Sequence, residues 1–163
     1  MQEENRAVLI DADFLSSFLK IGRLALIRDF FRVDKLYIPA AVFSEIAKTN
    51  LVKNLLDEKC IQIEKVNEKS FNNFGKDFEN LGSGEKECIA LCKQFQNPLL
   101  LISDKKALGI AKKYGITVLN IPAFLLACKN TGSLSKEGIS HIMKDLKNKD
   151  YYEFSEEERK RLS

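Results

Sequence analysis

The 163-residue chain contains no tryptophan, three prolines, four cysteines and a single histidine, His141. With one histidine and no C-x-x-C pair among Cys60, Cys88, Cys92 and Cys128, a structural zinc site has too few ligands at workable spacing. Cys88 and Cys92 share a face of the apolar segment ECIALC and read as small buried thiols, which fits a reducing compartment. No stretch approaches the roughly 20 apolar residues of a membrane span. The N-terminal MQEENRAVLI lacks the basic-then-apolar layout of a secretory leader. The expectation is a cytoplasmic protein with no membrane partner.

Charge of either sign is also not in great excess. The net charge is +3 with 30% charged residues, so composition neither requires nor excludes a nucleic-acid partner. At this length, 45% hydrophobic residues suffice for one packed core, and residues 1–163 are expected to form a single domain.

Short aliphatic runs are present in a regular rhythm: AVLI at 7–10, KLYI at 35–38, CIQIEKV at 60–66, PLLLIS at 98–103 and ITVLN at 116–120. Between them lie segments of helical period, so the pattern predicts an α/β domain with a mainly parallel sheet. FLSSFLKIG and RLALIRDFF, divided near Gly22, form a two-helix crossover. Pro39 begins a short helix carrying Glu45. Phe71, Phe74 and Phe78 fall on one helical stripe before the break at GSG, and another helix starts near Gly84 or Glu85. Gly115 and Gly132 stop two later helices. Residues 134–163 add a helical extension with an aromatic patch, YYEF, and a charged terminal turn.

Carboxylates stand at the ends of these elements. Asp11 follows VLI directly, where a carboxylate needs donors, cations or water around it. Asp13 precedes FLSSFLK and is expected to cap that helix. Asp104 follows LLLIS and precedes KKALGIAKKYG, so a helix cap and a functional role both stay open. Glu85 opens a helix, where the dipole alone favours negative charge. Glu45 borders an apolar stripe with Lys48 one turn on, and a surface ion pair would account for it. Ligands of open parallel sheets bind beyond the carboxyl ends of the strands. Four acids brought to that edge, without a histidine or nucleophilic triad, suit a hard divalent cation, Mg2+ or Mn2+.

In order and spacing, VLIDADFLSSF, IPAAVFSEIAK, GSGEKECIALC and LLLISDKKALGIAKKYGITVL resemble the PIN-domain ribonucleases, and among them the VapC-like toxins. The resemblance covers about residues 5–133, the core, ahead of the extension at 134–163. It implies a PIN-like three-layer α/β/α fold whose five-stranded parallel sheet has the order 3-2-1-4-5. It also implies that Asp11, Glu45, Glu85 and Asp104 are the catalytic, metal-holding acids. Asp13 departs from the Ser, Thr or Asn usual in the family, and its carboxylate either adds charge behind the metal ligands or caps the helix as Asn would. Ser103 stands where relatives often carry a second acid, and it would offer a hydroxyl behind the ligands.

The activity implied is endonucleolytic cleavage of single-stranded RNA with Mg2+ or Mn2+, as a toxin held by an antitoxin protein and forming a homodimer. Lys105 and Lys106, with Lys112 and Lys113 further on, are candidates for phosphate contact, or else a solvated helix face. Two rivals remain. One is a PIN-like module that binds RNA or protein without turnover. The other is a phosphohydrolase of the haloacid-dehalogenase type, whose D-x-D also follows a strand; here Leu15 replaces its usual Thr or Val.

Overall fold

A computed structural model describes residues 5–163; residues 1–4, where the segment considered above for a leader begins, lie outside them. Five strands form one sheet: β1 (Ala7–Ile10), β2 (Leu36–Pro39), β3 (Ile61–Glu64), β4 (Pro98–Leu101) and β5 (Thr117–Leu119). Every pairing is parallel and the order is β3-β2-β1-β4-β5, so the α/β expectation and the order implied by the family resemblance both hold.

The centre of the sheet is its driest part. Val8, Leu9 and Ile10 are fully buried, as unbroken aliphatic runs in a parallel sheet covered on both faces must be. In register, Ile10 lies beside Leu101, and the Asp11 N–H donates to the Leu101 carbonyl at 2.9 Å. Chain direction of strand addition reverses between β1 and β4, which makes their carboxyl ends the switch point.

The first crossover contains α1 (Ala12–Ile21) and α2 (Leu24–Phe31), separated by Gly22 at φ 66°. Only a residue without a Cβ takes that left-handed turn cheaply. Phe14 and Phe18 of α1 stack at 5.2 Å and meet Phe124 edge-on, closing one side of the core. Next come α3 (Ala40–Ala47), α4 (Val52–Asp57), α5 (Ser83–Cys92), α6 (Lys105–Lys113) and α7 (Ile121–Asn130). Helices α3 and α5 pack on each other and on the sheet. All four cysteines are buried free thiols, and the Cys88 Sγ lies 3.8 Å from the Ile10 carbonyl.

Two segments differ from expectation. The stripe of Phe71, Phe74 and Phe78 is carried by two 3-10 turns, Glu68–Asn73 and Gly75–Phe78, rather than by one α-helix. Gly75 at φ 52° interrupts the run, and Phe74 stacks on Phe78 at 4.2 Å across the break. The charged terminal stretch is a helix, α9 (Glu156–Leu162), opened by a capping box between Ser155 and Glu158. Before it, α8 (Lys136–Asp150) is tied to α1 where Asp150 accepts from Ser17 at 2.5 Å and pairs with Lys20 at 2.9 Å. Of the aromatic patch, Phe154 is buried against the core and Tyr151 is 86% exposed. Among the described residues no helix is long and apolar enough to cross a membrane.

Candidate metal centre

Asp11 is the residue at which β1 becomes α1. Its backbone is extended, at φ −78° and ψ 169°, so it serves as the N-cap of α1. One carboxylate oxygen accepts from Phe14 N–H at 2.8 Å and the other from Ser103 N–H, across the switch point, at 3.2 Å. Asp13 is therefore not the cap; it is exposed in the first turn of α1, where its charge acts on Asp11 and Glu45. The cap expected of Asp13 falls to Asp11 because the extended backbone needed for a cap belongs to the residue leaving the strand.

Burial dominates the electrostatics of Asp11. At 3% exposure its carboxyl is pushed up from 3.8 to about 7, although the two backbone bonds pull it down. The charges of Asp13 and Glu85 push it further up. Glu45, on α3, is also raised, first by partial desolvation and then by the same two charges. The Gly84 N–H and the charge of Lys48 hold it down. These mutual effects bring Asp11, Asp13, Glu45 and Glu85 into one electrostatic neighbourhood.

Glu85 occupies the third position of α5 and accepts from Gly82 N–H at 2.6 Å. Asp104 caps α6, accepting from Ala107 N–H at 2.8 Å. The cap that remained open for Asp104 is thus present, two residues beyond the end of β4 strand burial at Ile102. Lys105 and Lys106 follow it, both exposed. Lys113, by contrast, is paired with Asp77 at 2.9 Å, and that Asp77 also accepts from the Tyr114 hydroxyl. This knot fastens α6 to the 3-10 segment and takes Lys113 out of the phosphate-contact candidates.

Sequence reasoning missed two residues. Helix α3 begins after Pro39, which has no side chain to cap it, and the Glu87 carboxylate from α5 accepts from Ala41 N–H at 2.9 Å instead. Gly84 was noticed only as a helix start, yet it lies buried against Glu45. The only advance signal for Glu87 was its spacing of two from Glu85.

A hard divalent ion suits this donor set, which is all oxygen and mostly carboxylate. Its charge would offset the burial and repulsion that keep Asp11 protonated below about pH 7. The Ser103 hydroxyl points the same way: it is buried with no hydrogen-bond partner among the described residues. Asp11, Glu85 and Asp104 each accept from backbone N–H groups. Among the described residues, no group of three or more His, Cys, Asp or Glu is arranged to hold a metal ion.

A family model described as PIN domain matches residues 7–162, which includes α8 and α9 as well as the sheet. No curated protein matches the chain.

Proposed function

The chain belongs to the PIN-domain family, whose members are generally nucleases, and on that premise we propose that it is a metal-dependent endonuclease cleaving single-stranded RNA. The observation that carries the reading is Asp11: a carboxylate buried at the switch point, raised to about 7, and surrounded by acids instead of cations. Structural capping alone does not need that burial, since an exposed aspartate caps equally well.

Asp11 and Asp104 would hold Mg2+ or Mn2+, with Glu45 and Glu85 completing the set directly or through water. When bound, the cation supplies Lewis-acid chemistry at phosphorus and activates water for in-line attack. Asp11 is kept oriented by Phe14 and Ser103 N–H, so its oxygens do not have to be ordered when substrate arrives. Asp13, exposed beside them, adds negative charge without being fixed by a cap. Lys105 and Lys106 would meet the phosphates of the strand.

The partners proposed with this activity are RNA, an antitoxin protein and a second copy of the chain. Exposed Leu56, Ile63 and Tyr151 are apolar side chains available for such protein contacts. A second reading, an RNA- or protein-binding module without turnover, draws on the caps: Asp11, Glu85 and Asp104 each already have a structural task.

The test is cleavage of unstructured and structured RNA by the purified protein with Mg2+, Mn2+ or EDTA, beside Asp11→Asn and Asp104→Asn. Both variants keep an oxygen for the cap. EDTA and Asp11→Asn are each expected to lower the rate by more than about 100-fold, beyond the usual effect of altering a residue behind a ligand. Cleavage indifferent to EDTA would sink the mechanism, and RNA binding without cleavage would favour the module.

A further inference from the structure

We propose that Gly84 is a positioning residue for Glu45: its missing side chain lets that carboxylate rest on the first turn of α5 and so reach the site. The inference builds on the reading of Glu45 as a cation-holding acid.

Helices α3 and α5 meet at their starts through two glutamates. From α5, Glu87 accepts the Ala41 N–H at the start of α3. From α3, Glu45 lies on the start of α5, its Oε1 against Gly84 and close enough for the Gly84 N–H to hold its carboxyl down. Val42, one turn before Glu45, packs against the same spot. The contact is close: a Cβ at position 84 would lie 2.6 Å from Glu45 Oε1 and 3.4 Å from its Cδ, but 3.5 Å from Val42 Cγ2.

Only the first of these distances is prohibitive, being far inside van der Waals contact. The backbone gives no reason for glycine, because residue 84 is helical and is not among the positive-φ glycines. Alanine is the better helix former, so glycine here is a local disadvantage that the approach of Glu45 explains. The obstructing atom is the end of a flexible side chain. An added methyl group would therefore expel the carboxylate and leave the packing of α3 on α5 in place.

The experiment compares wild type, Gly84→Ala, Glu45→Ala and the double variant by Mn2+ titration calorimetry and by thermal unfolding in EDTA. Gly84→Ala is expected to fold with a Tm no lower than wild type and to bind Mn2+ at least about tenfold more weakly, as alteration of a ligand's support does. In the Glu45→Ala background the same substitution should leave Mn2+ affinity unchanged and raise Tm by more than it does in wild type. Wild-type Mn2+ affinity in Gly84→Ala, where Glu45→Ala has lost it, would overturn the proposal, as would a Gly84→Ala protein that does not fold. If Glu45→Ala binds Mn2+ as wild type does, the assignment of Glu45 to the cation fails by itself. The unfolding cycle then decides on Gly84: unequal Tm changes in the two backgrounds support its contact with Glu45, and equal ones overturn it.

Discussion

At both the β1–α1 and the β4–α6 junction an apolar strand runs into an aspartate that caps the next helix, accepting a 2.8 Å bond from the third residue on. The surroundings then diverge. Asp11 is 3% exposed, takes a second bond from Ser103 and is raised to about 7. Asp104 is half-buried and runs straight into two exposed lysines. The same capping bond thus belongs to a deeply buried acid at the middle of the sheet and to a half-buried one beside two lysines one strand away. What separates them is the depth of β1 and the acids of α1 and α5 around its end. Depth and neighbours, more than capping, make a carboxylate available to a cation.

The largest expected effect follows from that difference. In EDTA, folded Asp11 retains its proton up to about pH 7, whereas the unfolded chain loses it near 3.8. The folded state then binds more protons between those values, so the contribution is fully present below about pH 4 and is lost as pH rises through 7. A shift of about three units corresponds to an upper bound on the order of 4 kcal/mol. Glu45 acts in the same direction. Urea unfolding at pH 5 and pH 8 should therefore show stability falling with pH in wild type, and a much flatter profile in Asp11→Asn. Saturating Mg2+ or Mn2+ should restore most of the loss at pH 8, because a cation favours the ionised carboxylate. If Asp11→Asn keeps the wild-type slope, the contrast between the two junctions is wrong.

Much of this was legible in the residues. Unbroken aliphatic runs announce buried parallel strands, and Gly22, Gly115 and Gly132 stop their helices at positive φ as expected. Asp11, Glu45, Glu85 and Asp104 could be selected for standing at element boundaries and for the family pattern they form. The assignment between Asp11 and Asp13 was not legible, because both lie within a turn of the same helix start and only backbone dihedrals separate cap from first turn. Spacings of three and four around Phe71, Phe74 and Phe78 suit a 3-10 turn as well as an α-turn, and Gly75 decided between them. The roles of Gly84 and Glu87 depend on α3 meeting α5, a contact that joins Ala41 to Glu87, 46 residues apart, and that no local pattern encodes.

A smaller change should come from Ser103, whose N–H and side chain have opposite fortunes at the same junction. The N–H is bonded to Asp11, while the hydroxyl is buried and unpaired. An unpaired buried hydroxyl carries a desolvation penalty, so Ser103→Ala should raise stability in EDTA by about 1 kcal/mol. The same substitution should weaken Mn2+ binding, since that hydroxyl, buried beside the N–H that holds Asp11, has no partner among the described residues. Lower stability in EDTA would mean that the hydroxyl has a structural partner after all.

The smallest expected effect probes the exposed side of the β4–α6 junction. Lys105 and Lys106 follow Asp104, and neither is among the ion-paired lysines of the described residues, which include Lys20 and Lys113. If both meet phosphates, log affinity for single-stranded RNA should decline with log salt, and each Lys→Ala change should reduce that slope by about 0.7. Lys112→Ala, on the same helix but nearly two turns further from Asp104, should leave the slope unchanged. Binding should be measured on Asp11→Asn protein, so that cleavage does not distort the titration. A slope unaltered by Lys105→Ala and Lys106→Ala would return both lysines to the solvated face of α6 and leave the acids to recognise substrate without them.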